Sequence, residues 1–400
     1  MSNTQKKNVP ELRFPGFEGE YSLDIFGNLA TNKSEKFNPQ NENASIDIEL
    51  DCIEQNTGRL IKIYNSKEFS SQKNKFNPQN VLYGKLRPYL NKYYFTKKSG
   101  VCSSEIWVLK STKEDKLLNL FLYYFIQTKR YSDVASKSAG SKMPRADWGL
   151  IENIRVYFPE LCEQQKIGQF FSKLDRQIEL EEQKLELLQQ QKKGYMQKIF
   201  SQELRFKDEN GKDYPDWEEE NLGDLLIEVS DKTTTNNQYT LLSSTKNGLK
   251  SQEEYFKKQI ASKDSTGYKI LRLNQLVLSP QNLWLGNINI NQQFDFGIVS
   301  PSYKVYTLKN NFDIQFAKDL LKSPKYIYEY ALASEQGASI VRRNLNLDLF
   351  HFIKVNLPDL VEQKKIGFFL SEVDASIKMQ SLKLNLLNKR KKGLLQKVFL

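Results

Sequence analysis

This chain of 400 residues contains little of the chemistry that most enzymes use. Its single histidine, His351, lies beside a predicted apolar strand and is expected to be structural. A single histidine rules out a metal site built from several histidines, and it argues against Ser-His or Cys-His catalysis. The three cysteines, Cys52, Cys102 and Cys162, lack CxxC spacing, so we expect reduced thiols in a cytoplasmic protein and no zinc site.

Several common functional motifs are also missing. The sequence has no GxxxxGK[ST] phosphate loop, no Asn-Pro-Pro-Tyr-like motif and no glycine-rich first-strand loop, which argues against an ATPase or a methyl-donor site. Pro358-Asp359 followed by Glu362-Gln363-Lys364 imitates a PD…ExK nuclease, but these residues fall in the first turn of a predicted helix. Without a long apolar run or an apolar leader, neither a membrane span nor a secretory signal is expected.

Positive charge and a long internal repeat are what the sequence does contain. The formal net charge of +11 favours a polyanionic partner, most often nucleic acid, with an acidic membrane surface as the alternative. Residues 163–200 return at 362–399 with a constant offset (362 − 163 = 199), and 19 of these 38 positions are identical. A repeat of this length predicts two related halves.

Both copies of the repeat predict one long helix with the seam of a coiled coil. Apolar residues recur at alternating steps of four and three. The predicted seam residues are Ile167, Phe171, Leu174, Ile178, Leu185 and Leu188, then Ile366, Leu370, Val373, Ile377, Leu384 and Leu387. An amphipathic helix packed on its own domain is the alternative, but two matched seams favour pairing of the helices with each other.

The connectivity predicts the direction of this pair. The second globular part follows the first helix directly and also leads into the second helix, so the helices must run antiparallel. At ~1.5 Å per residue each helix is roughly 57 Å long. We therefore expect two globular heads about one helix length apart, related by a pseudo-dyad.

The heads themselves repeat more faintly, since Glu11–Phe14 (ELRF) returns as Glu203–Phe206. The predicted fold class is α+β, with two mixed α/β globular domains joined by the long antiparallel two-helix coiled coil. Predicted strands in head one are Ile46–Ile53, Val81–Tyr83, Val101–Leu109 and Ile154–Phe158, with a helix at Leu117–Tyr131. Those in head two are Tyr239–Ser243, Leu276–Leu278, Ile298–Tyr306 and Ile353–Leu357, with a helix at Phe316–Leu332 and a turn at Gly337–Ser339.

Two polar loops at matching places in each head could read DNA. Phosphate contacts need Lys and Arg, and base reading needs Arg, Lys, Asn, Gln, Ser or Thr on exposed loops. For any single residue a solvated surface position is the alternative. The candidates are Lys85, Arg87, Tyr89, Ser141, Lys142 and Arg145 in head one, and Gln281, Asn282, Trp284, Ser339, Arg342, Arg343 and Asn344 in head two.

Glycines and lysines recur at fixed places in the long helices. Gly168 and Gly367, with Gly194 and Gly393, suggest close backbone approach or a bend, and plain helix ends are the alternative for the second pair. The lysine-rich segments 192–193 and 389–392 could touch DNA phosphates, although a solvated helix face is favoured.

On these residues the chain resembles the specificity subunit of type I restriction–modification enzymes along its whole length. Residues 159–167 (PELCEQQKI) and 358–366 (PDLVEQKKI) look like the P-x-L-x-E-Q-x-x-I openings of that family's spacer helices. Residues 81–92 (VLYGKLRPYLNK) look like a segment of its target-recognition domains.

The resemblance implies target-recognition domains at 1–158 and 202–357, and spacer helices at 159–201 and 358–400. It implies a non-catalytic subunit that reads a bipartite, asymmetric DNA site, sets the gap with its helices, and docks two methyltransferase subunits and motor–nuclease subunits. S-adenosylmethionine, ATP and Mg²⁺ would be bound by those partners, with no cofactor in this chain. The alternatives are a free-standing two-headed DNA-binding regulator and a structural coiled-coil protein with basic surfaces.

Overall fold

The computed structural model describes residues 8–42, 44, 46–66, 71–137, 143–253, 264–339 and 342–399. The chain divides into two compact units: unit 1 is Met1–Glu182 with Leu382–Leu400, and unit 2 is Gln183–Ser381. Both units mix strands and helices, so the α+β class is confirmed.

Unit 1 is built on two four-stranded sheets. Its strands are β1 Ser22–Ile25, β2 Ala30–Thr31, β3 Lys36–Phe37, β4 Asp47–Ile48, β5 Lys73–Phe76, β6 Val81–Gly84, β7 Tyr93–Phe95, β8 Gly100–Cys102, β9 Ile106–Ser111 and β10 Arg155–Phe158. The first sheet is antiparallel with the order β2-β9-β6-β7. The second has the order β3-β5-β8-β4 with a parallel β4–β8 pair, and β1 pairs with β10.

Helices cover the first sheet of unit 1. They are α1 Phe26–Leu29, α2 Asn119–Phe125, α3 Lys129–Ala135, α4 Trp148–Ile151 and the long α5 Leu161–Phe200, whose first 22 residues, up to Glu182, belong to this unit. Apolar side chains of the sheet, of α2 and α3 and of α5 form one core that includes Tyr83, Phe121, Tyr131 and Phe171. Burying large aromatic side chains supplies much of the driving force for such a core.

Unit 2 repeats this plan. Its strands are β11 Glu218–Asn221, β12 Leu226–Val229, β13 Leu242–Thr245, β14 Gly248–Ser251, β15 Lys269–Arg272, β16 Leu276–Leu278, β17 Ile288–Ile290, β18 Phe296–Val299, β19 Lys304–Leu308, β20 Ser334–Ser339, β21 Arg342–Leu345 and β22 Lys354–Leu357. Its helices are α6 Ile314–Leu320, α7 Pro324–Leu332, α8 Leu347–His351 and the long α9 Leu360–Val398, of which residues 360–381 belong to this unit. The sheet β12-β19-β16-β17 corresponds to β2-β9-β6-β7, and β11–β22 corresponds to β1–β10, which confirms the internal repeat.

Within each unit, segments of the two long helices run antiparallel. In unit 1, Lys391 Nζ lies 2.7 Å from Asp175 Oδ1 and Lys383 Nζ lies 2.5 Å from Glu181 Oε1. In unit 2, Lys192 Nζ lies 2.7 Å from Asp374 Oδ1, and the rings of Tyr195 and Phe369 are 5.1 Å apart. In each unit, residues further along α5 contact residues earlier in α9, so the predicted antiparallel direction is confirmed.

Exposure along the long helices varies with the period of a two-helix seam. Ile167, Phe171, Ile366 and Leu370 are fully buried, and Leu174 and Ile178 are nearly so. The remaining predicted seam residues, Leu185, Leu188, Val373, Ile377, Leu384 and Leu387, are half-buried. The N-terminal part of α5 also packs on its own domain, since the rings of Phe171 and Tyr124 are 5.2 Å apart.

The first turn of α5 anchors the segment that precedes the first strand. The Glu163 side chain is fully buried and accepts hydrogen bonds from Arg13 Nε (2.9 Å) and Nη2 (2.7 Å) and from the Tyr21 hydroxyl (3.3 Å). Next to it, Gln164 Nε2 donates to the carbonyls of Lys116 and Pro159. The Glu-Gln pair of the repeat is therefore a structural clasp.

The first turn of α9 makes the same clasp in unit 2. Glu362 is fully buried and accepts from Arg205 Nη2 (2.8 Å) and Trp217 Nε1 (3.2 Å). Gln363 Nε2 donates to the carbonyls of Asn311 (3.0 Å) and Pro358 (2.9 Å). A carboxylate at a helix N-terminus is also favoured by the helix dipole.

The helix glycines have different explanations. A Cβ on Gly168 would lie 2.7 Å from two atoms of Leu120, and a Cβ on Gly367 would lie 2.8 Å from the backbone nitrogen of Phe316. Close approach therefore explains this pair. A Cβ on Gly194 or on Gly393 would meet nothing within 4 Å, so close approach is wrong there.

Some predicted strands are correct and others are wrong. Val81–Tyr83, Leu276–Leu278, Ile154–Phe158 and Ile353–Leu357 are confirmed by β6, β16, β10 and β22, and the strand predicted at Tyr239–Ser243 begins only at Leu242. Val101–Leu109 and Ile298–Tyr306 are each two strands, because in both a turn closed by a 2.9 Å backbone hydrogen bond interrupts the run. Ile46–Ile53 is a strand only in β4 and then becomes a 3-10 turn, Leu50–Cys52.

The two predicted head helices are also interrupted. Leu117–Tyr131 splits into α2 and α3, where Thr128 caps the second helix. Phe316–Leu332 splits into α6 and α7, because Pro324 has no N–H and starts a new helix instead. The turn predicted at Gly337–Ser339 is wrong, since these residues lie in β20.

Candidate nucleic-acid interface

In unit 1 the two candidate loops meet at the end of β6. The Arg87 N–H donates to the Pro144 carbonyl (2.7 Å) and the Ala146 N–H donates to the Lys85 carbonyl (2.8 Å). Leu86 and Arg145 form an isolated antiparallel bridge between these bonds. Two segments about 60 residues apart in sequence therefore share one surface.

The loop after β6 has an unusual backbone. Arg87 and Asn91 have φ values of +53° and +46° and flank the 3-10 turn Pro88–Leu90. Left-handed backbone at residues other than glycine costs free energy and is frequent at binding sites. This turn leaves Arg87 and Tyr89 exposed, and the Tyr89 side chain is 56% exposed, while Lys85 is half-buried.

Arg145 is held by a carboxylate that the sequence analysis did not single out. Its Nε and Nη2 donate to Glu105 Oε2 and Oε1, both at 3.0 Å. The hydrogen bonds from the guanidinium lower the pKa of Glu105. Glu105 directly precedes β9, whose Ile106 pairs with Gly84, but nothing in the sequence links it to Arg145.

In unit 2 the corresponding loop after β16 meets β21. The Arg343 N–H donates to the Gln281 carbonyl (3.2 Å), and its guanidinium lies 4.6 Å from the centre of the Trp284 ring. Arg343 Nη1 also donates to the Ala331 carbonyl (3.2 Å). A cation stacked on an aromatic face is stabilised by the ring quadrupole.

The remaining candidate residues of unit 2 differ in how far their side chains are exposed. Gln281 is exposed, Asn282 is half-buried and begins the 3-10 turn Leu283–Leu285, and Asn344 is exposed on β21. The Trp284 indole N–H is buried and, among the described residues, has no hydrogen-bond partner. Gln281 and Asn344 are therefore the side chains best placed to donate and accept outward.

Four candidates are described only in part or not at all. Ser141 and Lys142 lie outside the described residues. Ser339 and Arg342 pair with each other on β20 and β21, but their side chains lie outside the described part.

The lysine-rich helix segments are partly used in ion pairs. Lys192 pairs with Asp374 and Asp319, both at 2.7 Å, and Lys391 pairs with Asp175. Lys193, Lys389, Arg390 and Lys392 are exposed. No helix within the described residues is both long and apolar enough to cross a membrane.

The chain is similar in sequence to known specificity subunits of type I restriction enzymes. The family described as "Type I restriction modification DNA specificity domain" matches residues 21–190. The MjaVIII type I restriction enzyme specificity subunit of Methanocaldococcus jannaschii is 25% identical over 331 residues, which cover 75% of this chain and 74% of that protein. The EcoDI specificity subunit of Escherichia coli is 25% identical over 169 residues, covering 41% and 37% of the two chains.

Solved structures show a similar fold. The type I restriction–modification S subunit from M. genitalium has a TM-score of 0.56 at 16% identity, covering 98% of this chain and 99% of that one. A chain from a study of complex assembly and conformational transition of a type I R-M system has a TM-score of 0.57 at 15% identity, covering 94% and 97%.

Proposed function

We propose that this chain, which belongs to the family of type I restriction–modification specificity subunits, reads a bipartite DNA target with one recognition domain for each half. In this proposal residues 1–158 and 202–357 are the recognition domains, and the segments 159–201 and 358–400 supply the spacer helices. Its role in the complex is recognition of sequence, and the chemistry belongs to its partners.

The observation that carries this proposal is the pair of joined loops in each unit. Both units place two polar segments at the end of corresponding strands, β6 and β16, and tie them by backbone hydrogen bonds. The scaffold is the same, yet the side chains presented are different: Arg87 and Tyr89 in one unit, Gln281 and Asn344 in the other. One scaffold with two different surfaces fits an asymmetric target in which each half has its own sequence.

The contact residues we propose follow from this arrangement. Lys85, Arg87, Tyr89 and Arg145 would face one half-site, together with Ser141 and Lys142. Gln281, Asn282, Trp284, Arg343 and Asn344 would face the other, together with Ser339 and Arg342. Arginine and asparagine or glutamine make the bidentate contacts that identify guanine and adenine in the major groove.

The long helices serve two further roles in the proposal. They set the gap between half-sites, and they dock two methyltransferase subunits and, for cleavage, motor–nuclease subunits. S-adenosylmethionine, ATP and Mg²⁺ are bound by those partners. A free-standing regulator would need none of them.

Methylation mapping tests this function directly. Genomic DNA is sequenced for modified adenine in cells that hold this chain with its methyltransferase subunit, and in matched cells that lack only this chain. We expect a bipartite adenine-methylated motif that disappears with the chain and that gives both half-sites and the gap. Methylation that is independent of the chain would refute the recognition role.

A further inference from the structure

Beside the candidate loop after β6 in unit 1 lies a cleft of about 1150 Å³ that is lined by both polar and apolar side chains. Its floor is aromatic and includes Tyr93 and Tyr123, and its walls come from the turn at residues 56–60 and from the long helices. Small-molecule sites are usually enclosed and occupy ~300–1,000 Å³. At about 1150 Å³ this cleft is slightly larger than that range, which leaves room for part of a polymer.

The cleft is continuous with the candidate DNA-reading loop. Asn91 ends the 3-10 turn that carries Tyr89, and it also lines the cleft. Its side-chain Nδ2 donates to Asn56 Oδ1 (3.1 Å), and the Asn56 N–H donates back to the Asn91 carbonyl (3.1 Å). A DNA strand that passes over Tyr89 would therefore meet this cleft next.

The charges in the cleft are unbalanced after its ion pairs are counted. Each lining acid already has a cation: Asp175 pairs with Lys391 (2.7 Å), Glu179 with Arg176 (2.6 Å), and Glu182 with Arg59. Three further lining lysines are exposed and, within the described residues, make no side-chain hydrogen bond or ion pair; they are Lys97, Lys129 and Lys392. These three ammonium groups lack counter-ions of their own.

Unit 2 has a counterpart of the cleft without this excess. It contains Ser371 and Asp374, which match Ser172 and Asp175 at the repeat offset (371 − 172 = 199 and 374 − 175 = 199), and its volume is about 430 Å³. Lys318 is the only cation among its lining residues, and Lys318 lies 2.9 Å from Asp374. Among the described residues, the excess of positive charge is therefore found in the cleft of unit 1 and not in its counterpart.

We propose that the unit 1 cleft is a phosphate-binding site that holds the DNA backbone beside the half-site read by unit 1. Lys97, Lys129 and Lys392 each approach a backbone phosphate and displace its counter-ions. This inference rests on the proposed function and adds to it an asymmetric, sequence-independent contact that unit 2 does not make.

The test compares two variants with equal loss of charge. In the cleft variant Lys97, Lys129 and Lys392 are all changed to Gln. In the control variant three exposed lysines of unit 1 outside the cleft, Lys33, Lys110 and Lys116, are changed to Gln. Each full chain is purified with its methyltransferase subunits, and Kd is measured for a target duplex and a scrambled duplex between about 50 and 200 mM KCl, the range over which phosphate contacts are most visible.

Each phosphate contact contributes about 0.9 to the slope of log Kd against log salt concentration. We expect the cleft variant to lose about 2 to 3 from this slope on both duplexes, while the control variant keeps the wild-type slope. The ratio of Kd for scrambled and target duplexes should not change, because the cleft reads no base.

Other outcomes overturn the inference in distinguishable ways. Equal slopes for the cleft variant and wild type, with target discrimination intact, would refute the cleft while the proposed function stands. Loss of the methyltransferase subunits from the cleft variant, with the slope unchanged, would make the cleft a docking site for an acidic protein segment. Absence of target discrimination in the wild-type complex would refute the proposed function itself.

Discussion

Removal of the Glu362 carboxylate should loosen the segment that precedes β11. This carboxylate is fully buried and accepts from Arg205 Nη2 at 2.8 Å, Arg205 Nε at 3.3 Å and Trp217 Nε1 at 3.2 Å. Removing one member of a buried ion pair usually costs about 3–5 kcal/mol, because the other charge stays behind. Arg205 is 20% exposed and also donates to the Pro215 carbonyl at 2.6 Å, which reduces the penalty.

We therefore expect Glu362→Ala to lower the free energy of unfolding of unit 2 by about 3 kcal/mol, toward the lower end for a buried pair. Glu362→Gln keeps the shape and one acceptor oxygen but loses the charge, so its cost should be about 1–2 kcal/mol. A double-mutant cycle with Arg205→Met should give a coupling free energy of about 1–3 kcal/mol.

Two measurements check this. Urea unfolding followed by tryptophan fluorescence gives the free energies, and Trp217 itself reports on the site. Hydrogen–deuterium exchange of peptides covering residues 203–217 should accelerate in Glu362→Ala, whereas the matched change Glu163→Ala should accelerate exchange at residues 8–21. A cost below about 1 kcal/mol, typical of an exposed ion pair, would show that the clasp is not structural.

Three more outcomes are expected. Gly367→Ala should destabilise the protein by about 1–3 kcal/mol in thermal melts, because the added Cβ would lie 2.8 Å from a backbone nitrogen. In Gly393→Ala the added Cβ meets nothing within 4 Å, so this change should stabilise the helix by up to about 1 kcal/mol. Arg87→Ala should lose about 1–3 kcal/mol of discrimination at one half-site in competition binding, and Trp284→Ala should affect only the other half-site; an effect of either on both halves would contradict two independent readers. Burial alone would raise the pKa of Asp374, but hydrogen bonds from two lysines outweigh burial and lower this pKa below its usual 3.8. The free energy of unfolding that this carboxylate contributes is therefore present above about pH 4 and should decrease as the pH falls further. Asp374→Asn should show a smaller decrease over the same pH range.

The long helices were predictable because the gapless repeat shows the same seam period twice, and their direction followed from the order of helices and globular parts along the chain. The α+β class and the internal repeat followed from the same signal. Interruptions inside apolar runs were harder to predict. Val101–Leu109 is apolar at both ends, but a local turn divides it, in which the Ile106 N–H donates to the Ser103 carbonyl (2.9 Å). Pro324 stands between Ser323 and Lys325 and was visible as a helix start, but the apolar residues before and after it also fit one longer helix.

The sequence predicted which loops could form the candidate interface, but it did not predict which residues hold those loops in place. The sequence placed polar residues after β6 and β16, and the structure joins them to Pro144 and Arg343. Glu105 carried no sequence signal, since its partner lies 40 residues away on a different segment. The Glu-Gln openings of the long helices were visible as motifs, but their role as clasps depends on packing against Arg13 and Arg205.

In each loop pair some candidate side chains bind other protein groups, and others are exposed to solvent. The Arg145 guanidinium donates two hydrogen bonds to the Glu105 carboxylate, and the Arg343 guanidinium stacks on Trp284 and donates to a backbone carbonyl. Both guanidiniums therefore already have partners in the free protein. For either to read a guanine it would first have to give up those contacts, which reduces the net gain from the base. Arg87, Gln281 and Asn344 are exposed and incur no such cost. We therefore expect base discrimination to reside in these three, while Arg145 and Arg343 hold the loops that present them.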